Sequence, residues 1–416
     1  MEYTILNVAP IFLWPFLAFL INVFFGRRIY REGDWISVLG NFLSFVWCSR
    51  IFYDFYFVKH NVHYYVHRTF EWFNLSYLGH PYKIEMGIYI DNLSAMMLFM
   101  VSGAATLIHL FSTFYMKGDT RYGKFFVYMS LFTSAMLGLV LSNNLLSIFI
   151  FWELMGFCSY SLIGFYMEKD KAGAASIKAF MTTRVGDVCF LLGILALWST
   201  VGNVNIVDIY QAINAGEILN EKVLNFNLLT FAGLCLFLGT IGKSAQFPLQ
   251  VWLPDAMMGP TPCSALIHAA TMVAAGVYLS LRMYPVMEAG ELMTFIAFIG
   301  CITAFIAATM ALIQTDLKAV LAYSTISQLG YMVMGIGVGA YNASFMHLIT
   351  HAVFKACLFL AAGSVIHSLH DHHTHEHVQE MPRMGGLKDK LPYTFFCDDV
   401  LYFGHLRCSF FLRLCF

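Results

Sequence analysis

Charged residues are scarce in this chain. Asp, Glu, Lys and Arg make up 12% of its 416 residues, against roughly 25% in an average soluble domain. The 24 basic and 25 acidic residues give a formal net charge of −1. Such a chain lacks the basic excess typical of nucleic-acid-binding proteins, so we expect no nucleic-acid partner. With 59% hydrophobic residues, the composition indicates a protein of the lipid bilayer.

Paired cysteine motifs are also absent. The ten cysteines form no C-x-x-C pair, and most stand alone within apolar runs, so the ligand pattern of an iron–sulfur cluster or a structural zinc is missing. We therefore expect no redox centre and no metal site in this chain. The first apolar run has no basic segment before it and no A-x-A-like site after it, which predicts a retained anchor rather than a signal peptide.

Long apolar runs are abundant. A hydrocarbon core of about 30 Å needs roughly 20 apolar residues per helix, and about eleven runs meet this length. They lie near 5–25, 36–57, 88–114, 124–141, 144–166, 176–200, 228–248, 262–284, 292–312, 319–339 and 343–367. Short loops join them, apart from polar segments at 58–87 and 201–227 and a histidine-rich one at 368–391. The sequence predicts an all-α, multi-pass membrane protein.

Basic residues favour one side of the predicted membrane. Thirteen lysines and arginines fall in odd-numbered loops or at their edges, against five in even-numbered ones. Because cytoplasmic loops carry the excess of Lys and Arg, the odd loops are predicted to be cytoplasmic. The N-terminus is then on the opposite side of the membrane.

Residues 239–271 combine a lysine, a histidine and four prolines within apolar sequence. Lys243 follows a nearly wholly apolar run, and a lysine at mid-bilayer costs roughly 2.5–3.5 kcal/mol. The prolines have no amide donor, so a regular helix cannot continue through them; they are Pro248, Pro254, Pro260 and Pro262. A discontinuous helix near 239–262 survives only where protein or a watery cavity satisfies the freed carbonyls. A buried amine beside such a break suggests an ion pathway.

Further ionisable residues lie within the predicted spans. Glu153 is central in the fifth span, where a carboxylate must be paired or protonated; it either joins two helices structurally or exchanges protons with Lys243. Arg184 and Asp187 lie three residues apart in the sixth span, on one helix face. They form either a local ion pair or a coupling element.

A third group lies in the last span. His347, His351 and Lys355 follow one another at intervals of four residues and share one helix stripe. The spacing suits a proton relay, since imidazole can accept on one nitrogen and donate from the other; polar packing and a metal site are the alternatives. His268 is predicted to bridge this stripe to Lys243. GIGVGA at 335–340 imitates a nucleotide motif but is predicted to be helix-packing glycine, and HSLHDHHTHEH at 367–377 suggests adventitious metal binding.

Several segments together carry a family resemblance. They are FWELMGFCSYSLIGFY, KAFMTTRVGD, GKSAQFPLQVWLPDAMMGPTPCSALIHAATMV, DLKAVLAYSTISQLGYM and HLITHAVFKACLFLAAGSVIH. These resemble the antiporter-like subunits of respiratory complex I, NADH–quinone oxidoreductase, and most of all the subunit L group, to which the fifth mitochondrially encoded membrane subunit corresponds. Multisubunit sodium/proton antiporters are similar over the same core.

The resemblance implies an antiporter-like fold with inverted five-helix repeats around broken helices. We expect N-terminal helices over 1–114, a complete first repeat over 124–284, a partial second repeat over 292–394 and an atypical tail over 395–416. Glu153 and Lys243 would be the central pair of the first proton channel. His268 would bridge it to the axis of His347, His351 and Lys355, with Arg184 and Asp187 as coupling residues.

By the same resemblance, the chain would lie among other membrane-arm subunits in the inner or plasma membrane of a bacterium. It would move protons or sodium, while NADH, FMN, iron–sulfur clusters and quinone would belong to other subunits. One departure concerns the last residues, CDDVLYFGHLRCSFFLRLCF, where the family would continue into a second broken helix with a channel lysine. We expect a truncated product there, and an antiporter subunit or a non-functional product stay open as alternatives.

Overall fold

The structure is a computed structural model that describes residues 5–58, 64–77, 80–216, 218, 222–223, 226–269, 271–369, 378–387 and 390–396. Within that part of the chain, ten helices are long and apolar enough to cross a membrane. An eleventh, with 16 residues, is shorter. The predicted all-α membrane architecture is confirmed.

The helices follow the predicted runs closely. Before the first long loop they are α1 (Ile5–Val8), α2 (Pro10–Phe25) and α3 (Asp34–Tyr53). The middle of the chain forms α4 (Asn92–Tyr115), α5 (Tyr122–Leu141), α6 (Leu145–Ile163), α7 (Asp170–Val201), α8 (Ile206–Asn214), α9 (Leu228–Lys243) and α10 (Trp252–Asp255). The remainder forms α11 (Thr261–Ala269), α12 (Met272–Arg282), α13 (Tyr284–Ala289), α14 (Met293–Ala311), α15 (Leu317–Gly337) and α16 (Tyr341–Ser368).

Several of these helices begin where a side chain caps the first turn. The carboxylate of Asp91 accepts from the backbone N–H of Ser94 at 2.8 Å, and Asn144 accepts from Ser147 at 2.6 Å. Asp316 accepts from the N–H of Ala319 at 3.0 Å. Such caps satisfy amides that have no partner within the helix, and they fix where α4, α6 and α15 enter the bilayer.

A β-hairpin occupies most of the segment predicted to be a polar loop. Strands β1 (Tyr64–Tyr77) and β2 (His80–Asp91) pair antiparallel, from Tyr64 opposite Asp91 to Tyr77 opposite His80. The strand therefore replaces the first four residues of the predicted span 88–114. A second, two-residue pair joins β3 (Lys222–Val223) and β4 (Phe226–Asn227).

The hairpin is attached to loops on the same side of the bundle. Asn144 Nδ2 donates to the carbonyl of Glu85 at 2.7 Å, and Asn205 Nδ2 donates to the carboxylate of Glu85 at 3.1 Å. The backbone of Lys83 pairs with that of Asn203 in an isolated parallel β-bridge. These contacts join three even-numbered loops, as the predicted alternation of the spans requires.

The predicted helix break is confirmed between Lys243 and Thr261. Side chains of the protein satisfy its backbone groups: Trp252 Nε1 donates to the carbonyl of Gly242 at 3.0 Å, and Thr303 Oγ1 accepts from the N–H of Phe247 at 2.9 Å. This is the condition under which irregular backbone persists at membrane depth.

Candidate functional site

Lys243 ends α9 at the start of the break, and its side chain is completely buried. Its ammonium lies 3.5 Å from the carboxylate of Asp187 on α7, which is 1% exposed. The other oxygen of Asp187 accepts from Trp152 Nε1 of α6 at 2.6 Å. The Trp152 ring centroid lies 5.8 Å from the ammonium. Three helices thus meet around one buried ion pair.

Glycines allow this approach. A Cβ added at Gly186 would lie 2.7 Å from the carbonyl oxygen of Leu238, and one at Gly242 would lie 3.2 Å from that of Thr183. Helices α7 and α9 therefore cross at glycines, which is a common way for membrane helices to approach closely. On α6, a Cβ at Gly156 would lie 2.6 Å from the Lys243 ammonium. The absence of a side chain at Gly156 makes the room that the ammonium occupies.

Glu153 and Arg184 form a second ion pair beside the first, between α6 and α7. Both are partly exposed, and the Arg184 guanidinium also lies over the Phe180 ring, 4.5 Å from its centroid. Of the two alternatives for Arg184 and Asp187, the local ion pair is not the one seen: Arg184 pairs with Glu153 on α6, and Asp187 contacts Lys243 on α9. The residue in contact with Lys243 is Asp187, whereas Glu153, the carboxylate that the resemblance implies as its partner, is paired with Arg184.

The histidine–lysine stripe on α16 is present as a buried helix face. His347, His351 and Lys355 are 7%, 1% and 0% exposed, and the two imidazole centroids lie 6.4 Å apart. The Lys355 ammonium donates to Ser324 Oγ at 2.6 Å and to the carbonyl of Leu321 at 3.2 Å. Helix α15 therefore supplies neutral oxygen acceptors to this lysine, with no carboxylate among the described residues bonded to it.

His268 lies on α11, which packs against α16. It is completely buried, and neither ring nitrogen has a hydrogen-bond partner within the part of the chain that the structure describes. Its ring packs against Phe359 of α16 at a centroid distance of 4.8 Å, and the Lys355 charge acts on it. The structure thus brings His268 to the α16 stripe. The helix is interrupted just beyond it, since Thr271 has non-helical angles of φ −123° and ψ −98°.

Two buried cations escaped the sequence analysis. Lys318 lies in the first turn of α15, is 3% exposed, and donates to the carbonyl of Gly259 in the break at 3.3 Å. Arg282 ends α12 and forms an ion pair with Asp91. The detectable signals were a lysine two residues after a capping aspartate and an arginine closing an apolar, tyrosine-bearing helix.

The weaker motifs are placed as follows. GIGVGA runs from the end of α15 into the following turn. A Cβ added at Gly337 would lie 2.2 Å from the backbone nitrogen of Ala297 on α14, so the interpretation as helix-packing glycine is confirmed. No three His, Cys, Asp or Glu side chains among the described residues lie close enough to hold a metal ion. Residues 370–377 of the histidine-rich segment and residues 397–416 of the tail lie outside the described residues.

Named proteins are similar in sequence to this chain over most of its length. It is 52% identical over 319 residues to NAD(P)H-quinone oxidoreductase chain 5 of Synechocystis sp., covering 76% of this chain and 46% of the relative. It is 51% identical over 320 residues to the chloroplastic subunit 5 of Nephroselmis olivacea, covering 76% and 49%. The chain therefore spans about half the length of the curated relatives it matches.

Solved structures give the same picture of the fold. A chain of the Mrp complex from Dietzia sp. superposes with a TM-score of 0.69 and 28% identity, covering 87% of this chain and 37% of that one. A chain of an archaeal membrane-bound sulfane sulfur reductase superposes with a TM-score of 0.76, covering 96% and 80%, and at 20% identity it supports the fold alone.

Family models agree with both comparisons. The model for the N-terminus of complex I chain 5 matches residues 72–126. The model for the transmembrane region of NADH:quinone oxidoreductase and Mrp antiporters matches residues 142–406, which include both buried clusters. The chain belongs to the NADH:quinone oxidoreductase/Mrp antiporter transmembrane family and is a multi-pass membrane protein of the chain 5 type.

Proposed function

We propose that this chain is a proton-translocating membrane-arm subunit of an NADH–quinone oxidoreductase. The observation that carries the proposal is the Lys243–Asp187 pair, which is completely buried and held by a single contact of 3.5 Å. A buried charge is costly unless it is paired, so protonation of Lys243 depends on its carboxylate partner. In this proposal, electron transfer and its cofactors, FMN, iron–sulfur clusters and quinone, belong to other subunits of the assembly.

The proposed step is a change of partner at Lys243. With its proton, the ammonium is stabilised by Asp187. If Asp187 or Glu153 pairs with another cation instead, for example Arg184, the Lys243 ammonium no longer has a negative charge beside it and releases its proton. Coupled groups of this kind titrate as one system. Trp152, which donates to Asp187, keeps that carboxylate oriented in both states.

The proposed onward route passes His268 and then reaches Lys355 and the two histidines of α16. Both ring nitrogens of His268 lack a hydrogen-bond partner among the described residues, so its imidazole can accept a proton on one nitrogen and donate from the other. Lys355 has hydroxyl and carbonyl acceptors, which permit either protonation state. This supports a route running laterally between the first cluster and α16.

We further propose a placement and a division of the chain. The excess of basic residues in odd loops supports a cytoplasmic position for those loops and a non-cytoplasmic N-terminus in the inner or plasma membrane of a bacterium. Residues 124–284 would form the first repeat and 292–394 part of the second. Neighbouring membrane-arm subunits are the proposed partners.

A cation/proton antiporter subunit is the second candidate. It is favoured by the likeness to the Dietzia Mrp complex chain, at 28% identity and a TM-score of 0.69. The ion would then be sodium as well as the proton, and the driving force would be the membrane potential rather than electron transfer. Sodium-dependent, NADH-independent proton movement would distinguish this candidate from the first.

The test uses the assembled complex in sealed membrane vesicles, with NADH-driven proton uptake followed by a pH-sensitive dye. Lys243→Ala should lower uptake at least tenfold. Lys243→Arg should also fail, because arginine keeps its charge at every working pH. Lys117→Ala, an exposed lysine outside both clusters, is the control and should pump normally. Full pumping by Lys243→Arg would refute proton release from this residue.

A further inference from the structure

A large groove lies where α2 ends and α5 begins. It encloses about 1010 Å³ between the C-terminal end of α2, the N-terminal half of α5 and one residue of α6. Its apolar wall consists of Phe19, Val23, Phe24, Val127, Leu131 and Phe157. Three of these are well exposed: Phe24 at 71%, Phe157 at 48% and Val23 at 47%.

Basic side chains surround the end of this groove where the helices leave the membrane. Arg27, Arg28, Arg121 and Lys124 line it, with Glu32 as the single acidic residue. Arg121 is already paired with Glu168, and Glu32 accepts from the backbone N–H of Gly123 at 2.7 Å. Arg27, Arg28 and Lys124 form no ion pair with any carboxylate in the described ranges. Three positive charges are therefore free to bind an anion.

The arrangement matches the amphipathic profile of a lipid. Cations cluster at the level where α2 ends and α5 begins, and aromatic and aliphatic side chains follow toward the bilayer interior. Basic pockets between transmembrane helices on the cytoplasmic side are a known kind of site for anionic head groups. An acidic soluble ligand would leave the apolar wall uncovered, and a neutral lipid would leave the three cations uncompensated.

We propose that this groove binds one anionic diacyl phospholipid, with its phosphodiester at Arg27, Arg28 and Lys124 and its acyl chains along the apolar wall. The site is independent of proton transfer. It fastens the first membrane helix to α5 through a shared ligand. Because the basic residues are exposed, binding should weaken as ionic strength rises.

The test is photocrosslinking in the assembled complex. Nanodiscs contain phosphatidylcholine and a minor fraction of phosphatidylglycerol with a photoactivatable acyl chain, and crosslinked peptides are mapped by mass spectrometry. Wild-type protein should be labelled within residues 19–28 and 123–131. Arg27→Gln/Arg28→Gln/Lys124→Gln should lose this labelling by roughly a hundredfold at limiting lipid, at about a fivefold loss for each basic residue.

Two controls separate a site from general attraction to a basic surface. Lys117→Gln/Lys171→Gln removes two exposed lysines from the same side of the protein but not from the groove, and labelling of the groove should be unchanged. Val127→Trp should fill the groove and reduce labelling although no charge is altered. Equal labelling of wild type and the triple variant would overturn the proposal. Absence of labelling in wild type, which is expected if another protein covers the groove, would also overturn it. Displacement of the lipid by free glycerol phosphate would overturn it as well.

Discussion

The ion pair between Arg282 and Asp91 gives the most quantitative prediction, because the substitution Asp91→Asn removes the negative charge of a buried pair. Asparagine is nearly the same size and caps a helix as well as aspartate does, so the bond to the N–H of Ser94 persists. The guanidinium keeps its bonds to Ser94 Oγ at 2.7 Å and to Tyr278 OH at 2.9 Å. What it loses is its counter-charge and the hydrogen bond to Oδ2 of Asp91, because the amide nitrogen that replaces this oxygen is a donor.

The loss of stability expected for Asp91→Asn follows from the burial of the two side chains. The Arg282 side chain is 3% exposed and that of Asp91 is 18% exposed. Removing one partner of a buried pair costs about 3–5 kcal/mol, since the remaining charge is left uncompensated. The partial exposure of Asp91 favours the lower end, about 3 kcal/mol. At roughly 2 °C per kcal/mol for a protein of this size, the melting temperature should fall by about 6 °C.

The assay is thermal unfolding in detergent at a fixed scan rate, followed by tryptophan fluorescence. Asp316→Asn is the matched control, because Asp316 caps α15 and forms no ion pair within the described structure; it should change the melting temperature by less than about 1 °C. Asp91→Asn/Arg282→Met should recover part of the loss, as the orphaned charge is removed too. An Asp91→Asn protein that melts with wild type would refute the reasoning.

The same pair predicts a pH dependence. Burial alone would raise the pKa of Asp91, but the Arg282 charge and its hydrogen bonds outweigh burial and lower that pKa below its ordinary value of 3.8. A carboxylate with a lowered folded-state pKa contributes its full stability above the unfolded pKa, and the contribution disappears as pH falls through the folded value. The difference between wild type and Asp91→Asn should therefore be constant near neutrality and shrink only below about pH 4.

Three further predictions concern the break, the Lys243 environment and the topology. Gly156→Ala should leave the melting temperature within about 2 °C of wild type, because the flexible end of Lys243 can move away from the new Cβ. The displaced ammonium should nevertheless reduce NADH-driven proton uptake several-fold. Normal uptake would show that the position of the ammonium is unimportant. Lys318→Met should destabilise the fold by about 1–3 kcal/mol, since a buried carbonyl loses its donor, and an unchanged melting temperature would contradict this. Single cysteines at Lys171 and Gln211 should react with an impermeant maleimide from opposite sides of sealed vesicles, and labelling from one side would refute the proposed topology.

Most of the helical fold could be predicted because lipid imposes one strong requirement, a continuous apolar run of sufficient length. The hairpin was missed for the same reason. Ile84, Ile88 and Ile90 alternate with less apolar residues in a strand pattern. The last two lay at the edge of a long apolar run, so they were assigned to the helix that begins at Asn92. A test for alternation at the start of the third span would have separated strand from helix.

The ionisable residues of the first cluster could be predicted, but not their partners. Spacing places Arg184 and Asp187 on one face of α7, and no local rule decides whether they bond to each other or to other helices. That choice depends on how closely α7 crosses α9, which Gly186 and Gly242 determine through backbone contact. The crossing angle of α7 and α9 depends on the packing of two segments that are distant in the sequence, and local sequence patterns do not predict it.

The two buried ion pairs differ in a way that matches their proposed roles. Arg282 is bonded through both terminal nitrogens to Asp91, and an arginine keeps its charge in proteins, so this pair is fixed and serves the architecture. Lys243 meets Asp187 through one contact of 3.5 Å, with its ammonium in the space that Gly156 leaves, and a buried lysine can change its protonation state. A lysine held by one contact is suited to proton transfer, whereas an arginine held on several sides is suited to a fixed structural role.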